Sequence, residues 1–121
     1  MVFLLLLKDK DLLKNINSLK TTKEFKEVYE SGRVFSNRLL VMYLLKKEGP
    51  LRIGISVSKK VGNSVERHRV TRLIRESYLS LKSKIPEGLW IVVAARPLCR
   101  TCSEKDVEKA FEDLLKRHGK I

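Results

Sequence analysis

The stretch LRIGISVSKKVGNSVERHRVTRLIRESYLSL, residues 51–81, joins a strand pattern to a helix pattern. In residues 51–58, apolar side chains alternate with small or polar ones, which is typical of a strand with one face against a core. Asn63 and Glu66 have the spacing of a capping box, so we expect a helix to begin there. The positions that follow at i, i+3, i+4, i+7, i+8 and i+11 form one helical stripe: Val70, Leu73, Ile74, Ser77, Tyr78 and Leu81. The sequence therefore predicts a strand, a loop and a long amphipathic helix.

Capping and turn residues divide the rest of the chain into short elements. Thr21 with Glu24, and Ser103 with Asp106, also have capping-box spacing and predict two more helices. The predicted strands are residues 33–36, 39–45, 51–58 and 89–95. The last strand is a nearly continuous apolar run, which suits a central position covered on both faces. The predicted order is α-β-β-β-α-β-α, an α/β fold.

Composition limits the class of protein and points to an anionic partner. The chain has 121 residues, 43% of them hydrophobic, which indicates one folded domain rather than a disordered tail. It carries 26 Lys and Arg against 14 Asp and Glu, a net charge of +12. Such an excess favours binding to nucleic acid, and an anionic membrane surface is the competing partner.

Residues 1–18 are expected to form an apolar and charged extension before a single domain at 19–121. The apolar run Met1–Leu7 is shorter than the roughly 18 residues of a membrane-spanning helix. It also lacks the preceding basic residues of a signal peptide, so we expect a cytoplasmic protein that does not bind membranes. Three interpretations of Met1–Leu7 stay open: a flexible tail, a strand added at the sheet edge, or a start codon assigned too early.

The segment from Lys59 to Arg75 concentrates positive charge. It holds six Lys or Arg residues against a single acidic one, Glu66. At 100° per residue, His68, Arg72 and Arg75 form a row opposite the apolar stripe, a spacing that suits phosphate groups. Two lysines just before a helix N-terminus add to the attraction for anions. The alternative is a solvated helix face without a ligand.

This segment also carries a resemblance to a known family. Gly54-Ile-Ser-Val-Ser-Lys-Lys-Val-Gly-Asn63, followed by Arg67-His-Arg69 and Arg72-Leu-Ile-Arg75-Glu76, resembles the signature of the protein subunit of bacterial ribonuclease P. Similar residues extend the match over about 19–116. The chain departs from the signature at His68, where the family commonly has Asn, and at Thr71, where it often has Lys or Arg.

The resemblance implies a function, a partner and a fold. The family protein binds a catalytic RNA, and together they remove the 5′ leader of precursor tRNA by hydrolysis, leaving a 5′ phosphate on the mature tRNA. The catalytic Mg²⁺ is held mainly by the RNA subunit, so no residue of the protein is expected to be catalytic or to ligate metal. The implied fold is a two-layer α/β sandwich with a four-stranded sheet and a left-handed β-α-β crossover, although most such crossovers are right-handed. No organic cofactor and no obligate protein partner are implied.

The same resemblance assigns two groups of binding residues. The residues expected to bind RNA are Lys59, Lys60, Asn63, Arg67, His68, Arg69, Arg72 and Arg75. Those expected to line a cleft for the single-stranded leader are Phe25, Tyr29, Phe35 and Tyr43. Aromatic rings offer stacking surfaces that tolerate any base, which suits leaders of varied sequence. Without the resemblance, Phe25 and Tyr29 would be assigned to the core, as Trp90 and Phe111 are here.

Other functional classes are weighed against this one. Cys99 and Cys102 have metal or redox spacing, but His68 and His118 are the only histidines, so two unpaired thiols are expected. A ribosomal or chaperone-like RNA-binding protein would fit the composition equally well. A stand-alone metal-dependent nuclease would need clustered carboxylates, which the spacing of the acidic residues does not predict.

Overall fold

The computed structural model describes residues 17–121 and confirms the predicted order of elements. The helices and strands are α1 (Thr22–Ser31), β1 (Arg33–Ser36), β2 (Leu40–Lys46), β3 (Arg52–Ser56), α2 (Ser64–Leu81), β4 (Leu89–Ala95) and α3 (Glu104–Arg117). Short 3₁₀ helices follow α2 at Lys82–Lys84 and β4 at Pro97–Thr101. The interpretations of Met1–Leu7 lie outside the described residues.

Each of the three α-helices within residues 17–121 begins with a capping box at the predicted residue. The side chains of Thr21, Asn63 and Ser103 accept a hydrogen bond from the backbone N–H three residues on. In return, the acidic side chain at that third position accepts from the backbone N–H of the capping residue. Because these bonds satisfy otherwise unpaired N–H groups, they fix where each helix begins.

The strands form one mixed sheet in the order β1-β2-β4-β3. The β1–β2 and β2–β4 pairs are antiparallel, whereas β3 and β4 are parallel neighbours. Since α2 lies between β3 and β4 in the chain, these three elements form the predicted β-α-β crossover. The left hand of that crossover stays a prediction.

The structure confirms an α/β sandwich, in which α2 and α3 pack on one face of the sheet and α1 packs on the other. The main core lies between one face and α2 with α3, and it includes the fully buried Tyr78 and Phe111. The stripe predicted for α2 is buried throughout its length. On the other face, α1 contributes Val28 to a smaller cluster with Leu19 and Val92. The central strand β4 is therefore buried from both sides, as its apolar run predicts.

Strand β3 differs from its sequence-based description in two ways. It ends at Ser56 rather than at residue 58. Its second face is also covered, because Gly54 is buried beneath α1 rather than exposed. Asn17 and Leu19 run beside β3, with Ile53 donating to the Asn17 carbonyl at 2.9 Å and accepting from the Leu19 N–H at 2.8 Å. Part of the expected extension thus contacts the sheet.

Candidate nucleic-acid interface

Three of the four predicted cleft residues form one aromatic group, which consists of Phe25, Tyr29 and Tyr43. The ring centroids of Phe25 and Tyr29 lie 6.4 Å apart. Those of Tyr29 and Tyr43 lie 4.8 Å apart, with the rings nearly perpendicular. Tyr29 is 40% exposed, so the group presents ring surface to solvent. Helix α1 supplies two rings at i and i+4, and β2 supplies the third.

The sheet forms the floor beneath this aromatic group. A row of residues in register crosses all four strands: Val34, Tyr43, Val92 and Gly54. A Cβ on Gly54 would stand 2.6 Å from ring atoms of Phe25, so only glycine lets the ring lie against β3. Val34, at the opposite end of the row, is 48% exposed. The floor therefore runs from the covered strand β3 to the open edge strand β1.

Phe35 does not join the aromatic group. It pairs with Met42 across β1 and β2, and Met42 is fully buried in the main core. Successive side chains of a strand point to opposite faces, so Phe35 lies on the face opposite Tyr43. Its ring packs at right angles against His118, with centroids 4.8 Å apart. The expectation that the four aromatic residues share one cleft is wrong for Phe35.

The predicted basic residues lie along α2 and the turn before it. Lys59, Lys60, His68 and Arg69 are exposed, whereas Arg67, Arg72 and Arg75 are partly buried. We call the exposed side of α2 from Arg67 to Arg75 the basic face. The side chain of Asn63 is engaged in capping α2, accepting from the Glu66 N–H at 2.9 Å. Its position suits an anchor for the helix start more than a free RNA ligand.

Several side chains of the basic face have partners within the protein. The Nε of Arg72 donates to Glu76 at 3.0 Å, so a phosphate that binds at this nitrogen would have to replace that carboxylate. Thr71, at a position where the family often has a cation, donates its hydroxyl to the Arg67 carbonyl at 2.8 Å. The Nε of Arg67 is buried without a hydrogen-bond partner in the described part of the chain. Buried unpaired donors are rare, and this one lies at the start of the basic face.

Arg69 contacts the segment after β4. Its two terminal nitrogens donate to the carbonyls of Arg100 and Cys102, at 3.1 and 2.9 Å. An ion pair between Arg100 Nε and Glu66 Oε2, 3.6 Å apart, adds a second link to the start of α2. The N-terminal half of α2 is therefore tied to the segment that contains the two cysteines.

A recess of about 190 Å³ joins the aromatic group to the basic face. Phe25 and Gly54 line it on the sheet side, and Thr71 and Arg75 line it on the α2 side. The aromatic group and the basic face are thus neighbours. One strand of nucleic acid that follows the aromatic rings would meet the Arg75 side chain at this recess.

Trp90 is partly buried and packs against the smaller cluster of Leu19, Val28 and Val92, which agrees with its assignment to the core. The Nζ of Lys47 and the guanidinium carbon of Arg52 each lie 5.0 Å from the centre of its ring, as in cation–π contacts. Arg52 also pairs with Glu24 of α1, and this hydrogen bond is the main cause that lowers the pKa of Glu24 to about 2. The contacts of Arg52 with Trp90 and Glu24 hold α1 on the sheet. No local sequence pattern predicts these contacts, because Arg52 and Trp90 become neighbours only when β3 pairs with β4.

The cysteines are free thiols, as predicted. Cys99 is fully buried in the main core, and burial raises its pKa to about 11.

Within residues 17–121, no three His, Cys, Asp or Glu side chains are grouped so that they could hold a metal ion. In the same residues, no helix has the length and apolar character needed to cross a membrane.

Comparisons with known proteins agree with the sequence resemblance. The model of the family described as Ribonuclease P matches residues 13–119. The chain belongs to the ribonuclease P protein family. It is therefore a protein subunit of ribonuclease P, the assembly that processes tRNA.

Relatives of this ribonuclease P protein match it along nearly their whole length. It is 47% identical over 105 residues to the "Ribonuclease P protein component" of Clostridium botulinum (strain Loch Maree / Type A3), covering 85% of this chain and 95% of that one. The component from Lachnoclostridium phytofermentans is 48% identical over 102 residues, covering 84% and 88%.

Solved structures of ribonuclease P proteins share the fold. The Staphylococcus aureus protein superposes with a TM-score of 0.78 at 33% identity, covering 86% of this chain and 96% of that one. The Thermotoga maritima protein gives a TM-score of 0.75 at 28% identity, covering 83% and 96%. In residues 17–121, the arrangement of three α-helices around a four-stranded mixed sheet is therefore that of a ribonuclease P protein.

Proposed function

We propose that this subunit binds two RNAs at once: the catalytic RNA subunit on the basic face of α2, and the 5′ leader of precursor tRNA on the aromatic group. The observation that carries the proposal is the recess shared by Phe25 and Arg75, which makes the two surfaces continuous. Lys59 and Lys60, exposed in the turn before α2, extend the positive charge. Phosphate contacts supply affinity without reading sequence, which suits a subunit that must accept many precursors.

The leader would be held mainly by stacking and backbone charge. Tyr29 and Tyr43 present ring surface beside the row of residues that crosses the four strands. A base stacked on such a ring contributes about 1–3 kcal/mol. Arg75 at the recess is placed to neutralise a phosphate of the same strand. Phe35 belongs to the opposite face and has no role in this contact.

The bond-breaking chemistry is proposed to reside in the RNA subunit. Mg²⁺ bound mainly by that RNA would activate the attacking water and stabilise the leaving oxygen, giving a 5′ phosphate on the mature tRNA. The residues of this chain do not form a metal centre in the described part, so no step of the proposal passes through a protein-bound ion. The protein neutralises repulsion between the two RNAs and positions the leader. A cytoplasmic location and the absence of an obligate protein partner remain part of the proposal.

A matched pair of substitutions tests the leader contact. Tyr43→Leu and Phe35→Leu each remove one ring, on opposite faces of the same β1–β2 ladder. In the reconstituted holoenzyme, we expect Tyr43→Leu to weaken binding of precursor tRNA about tenfold, as the loss of one stacked base implies. Mature tRNA, which lacks a leader, should bind as before, and Phe35→Leu should leave the ratio of the two affinities unchanged. Equal losses for both tRNAs, or the same change in both variants, would contradict the proposed cleft.

A further inference from the structure

Arg69 makes a contact that differs from those of its neighbours on the basic face. Its guanidinium donates to two main-chain carbonyls, those of Arg100 and Cys102, which lie 31 and 33 residues further along the chain. We name the Pro97–Thr101 3₁₀ helix together with Cys102 the 97–102 turn. The last carbonyls of a helix lack partners within it, so a forked donor satisfies groups that would otherwise depend on water.

We propose that Arg69 is a positioning residue for RNA binding: it fixes the N-terminal half of α2 to the 97–102 turn and does not itself contact RNA phosphate. The inference rests on the proposed function, because it assumes that α2 binds RNA. It assigns Arg69 a different role from Arg72, whose guanidinium pairs with Glu76 on its own helix. Arg69 is therefore no longer assigned to RNA binding. It orients the residues of α2 that bind RNA.

The 97–102 turn is a rigid reference for the helix. Cys99, in the middle of the turn, is fully buried in the main core. The turn is entered at Arg96, whose backbone N–H donates to the Leu39 carbonyl at 2.8 Å. Because the core fixes this turn, a helix tied to the turn is fixed relative to the core. The side chains at positions 67, 68 and 72 are then held in position by the helix.

A second link acts at the first turn of α2. Glu66 caps the helix through the Asn63 N–H at 3.0 Å and also pairs with Arg100 of the 97–102 turn. Arg69 lies three residues further along, on the next turn of the helix, so the two links together restrain rotation of α2 about its axis. Lysine would not replace Arg69, because a single ammonium group lacks the planar fork that reaches both carbonyls.

The buried thiol of Cys99 reports directly on this link in the free protein. In a Cys102→Ser background, which keeps the backbone carbonyl, a thiol reagent labels Cys99 only when the 97–102 turn opens. We expect Arg69→Ala to speed labelling at least tenfold and Arg69→Lys to speed it severalfold, whereas Arg72→Ala leaves the rate unchanged. Thr21→Ala, which removes the cap of α1 far from the turn, controls for loss of global stability.

Binding to the RNA subunit as a function of salt supplies the second readout. Arg69→Ala should weaken binding while the slope of log K against log [salt] stays that of the unmodified protein, because no phosphate contact is lost. Arg72→Ala should make this negative slope less steep by about one. An unchanged labelling rate in Arg69→Ala, or a slope that falls as far as in Arg72→Ala, overturns the inference. Failure of the proposed function would appear separately, as a lack of RNA binding by the unmodified protein.

Discussion

The ring of Phe25 lies directly on the backbone of Gly54, so that a Cβ at this glycine would stand 2.6 Å from the ring atoms Cε1 and Cζ. Side chains do not tolerate a Cβ at that distance, and the ring would have to move away from β3. The contact sets how deep the aromatic group lies, and Gly54 is therefore as much a part of the proposed leader cleft as the rings themselves.

Gly54→Ala is expected to displace the Phe25 ring and weaken binding of precursor tRNA relative to mature tRNA. Overpacking of this kind costs about 1–3 kcal/mol of stability, so thermal unfolding must be measured beside the two affinities. Ile53→Val on the opposite face of β3 serves as control, since it costs about 0.5–1.5 kcal/mol without touching Phe25. The same affinity ratio in both variants would argue against a role for the Phe25 position.

The contact between Arg72 and Glu76 makes a prediction for the salt dependence of RNA binding. The slope of log K against log [salt] is negative, and Arg72→Ala should make it less steep by about 0.9, the value for one lost phosphate contact on duplex nucleic acid. Glu76→Gln should strengthen binding, because it removes the carboxylate that lies 3.0 Å from Arg72 Nε and competes with phosphate. Lys105→Ala on α3 removes an exposed charge elsewhere, and a slope change as large as that of Arg72→Ala would show that the basic face is not the contact.

Glu24 predicts an acid-dependent loss of stability. Its pKa is lowered to about 2 in the folded protein from 4.5, mainly by the hydrogen bond from Arg52. A lowered folded-state pKa means that the unfolded chain binds the proton more readily, so the stabilisation is complete above about pH 4.5 and is lost as the pH falls towards 2. In the unmodified protein, the free energy of unfolding measured with urea should fall as the pH is lowered from 4.5 to about 2. Glu24→Gln, which retains the geometry of a capping box, should show a weaker slope. Identical pH profiles would contradict the assignment.

His118 predicts a second pH effect, in a higher range. Burial lowers its pKa from 6.5, and its Nε2 lies 3.1 Å from the Met42 carbonyl. The neutral ring is therefore favoured in the folded state, and stability should fall as the pH drops below about 6.5. His118→Gln removes the titration and should flatten that part of the profile in denaturant unfolding. If the profile between pH 5 and 7 persists in the variant, another group is responsible.

The sequence predicts most of the fold because its signals are local. Capping boxes at Thr21, Asn63 and Ser103, and the stripe on α2, depend on spacing within one helix, and the structure confirms them. Burial of Gly54 and the face of Phe35 depend instead on tertiary pairing. Alternation within the short strand β1 shows that Val34 and Phe35 face apart, but only the register with β2 shows which faces the core.

The candidate site divides in the same way between local and tertiary signals. The basic face follows from helical periodicity, and the pairing of Phe25 with Tyr29 follows from their i, i+4 spacing. The contacts of Arg69 with the carbonyls of Arg100 and Cys102 join positions far apart in the chain. The resemblance assigns Arg69 to the RNA contact, whereas the structure gives its donors partners within the protein.

We propose that this chain serves as the protein cofactor of an RNA enzyme. The direct measurement is cleavage of a 5′-labelled precursor tRNA at low Mg²⁺ by bacterial ribonuclease P RNA alone, by the protein alone, and by both together. We predict cleavage at the mature 5′ end only when both are present, because the protein supplies charge and leader binding rather than chemistry. Cleavage by the protein alone, or no stimulation of the RNA by a protein that binds it, would contradict the account.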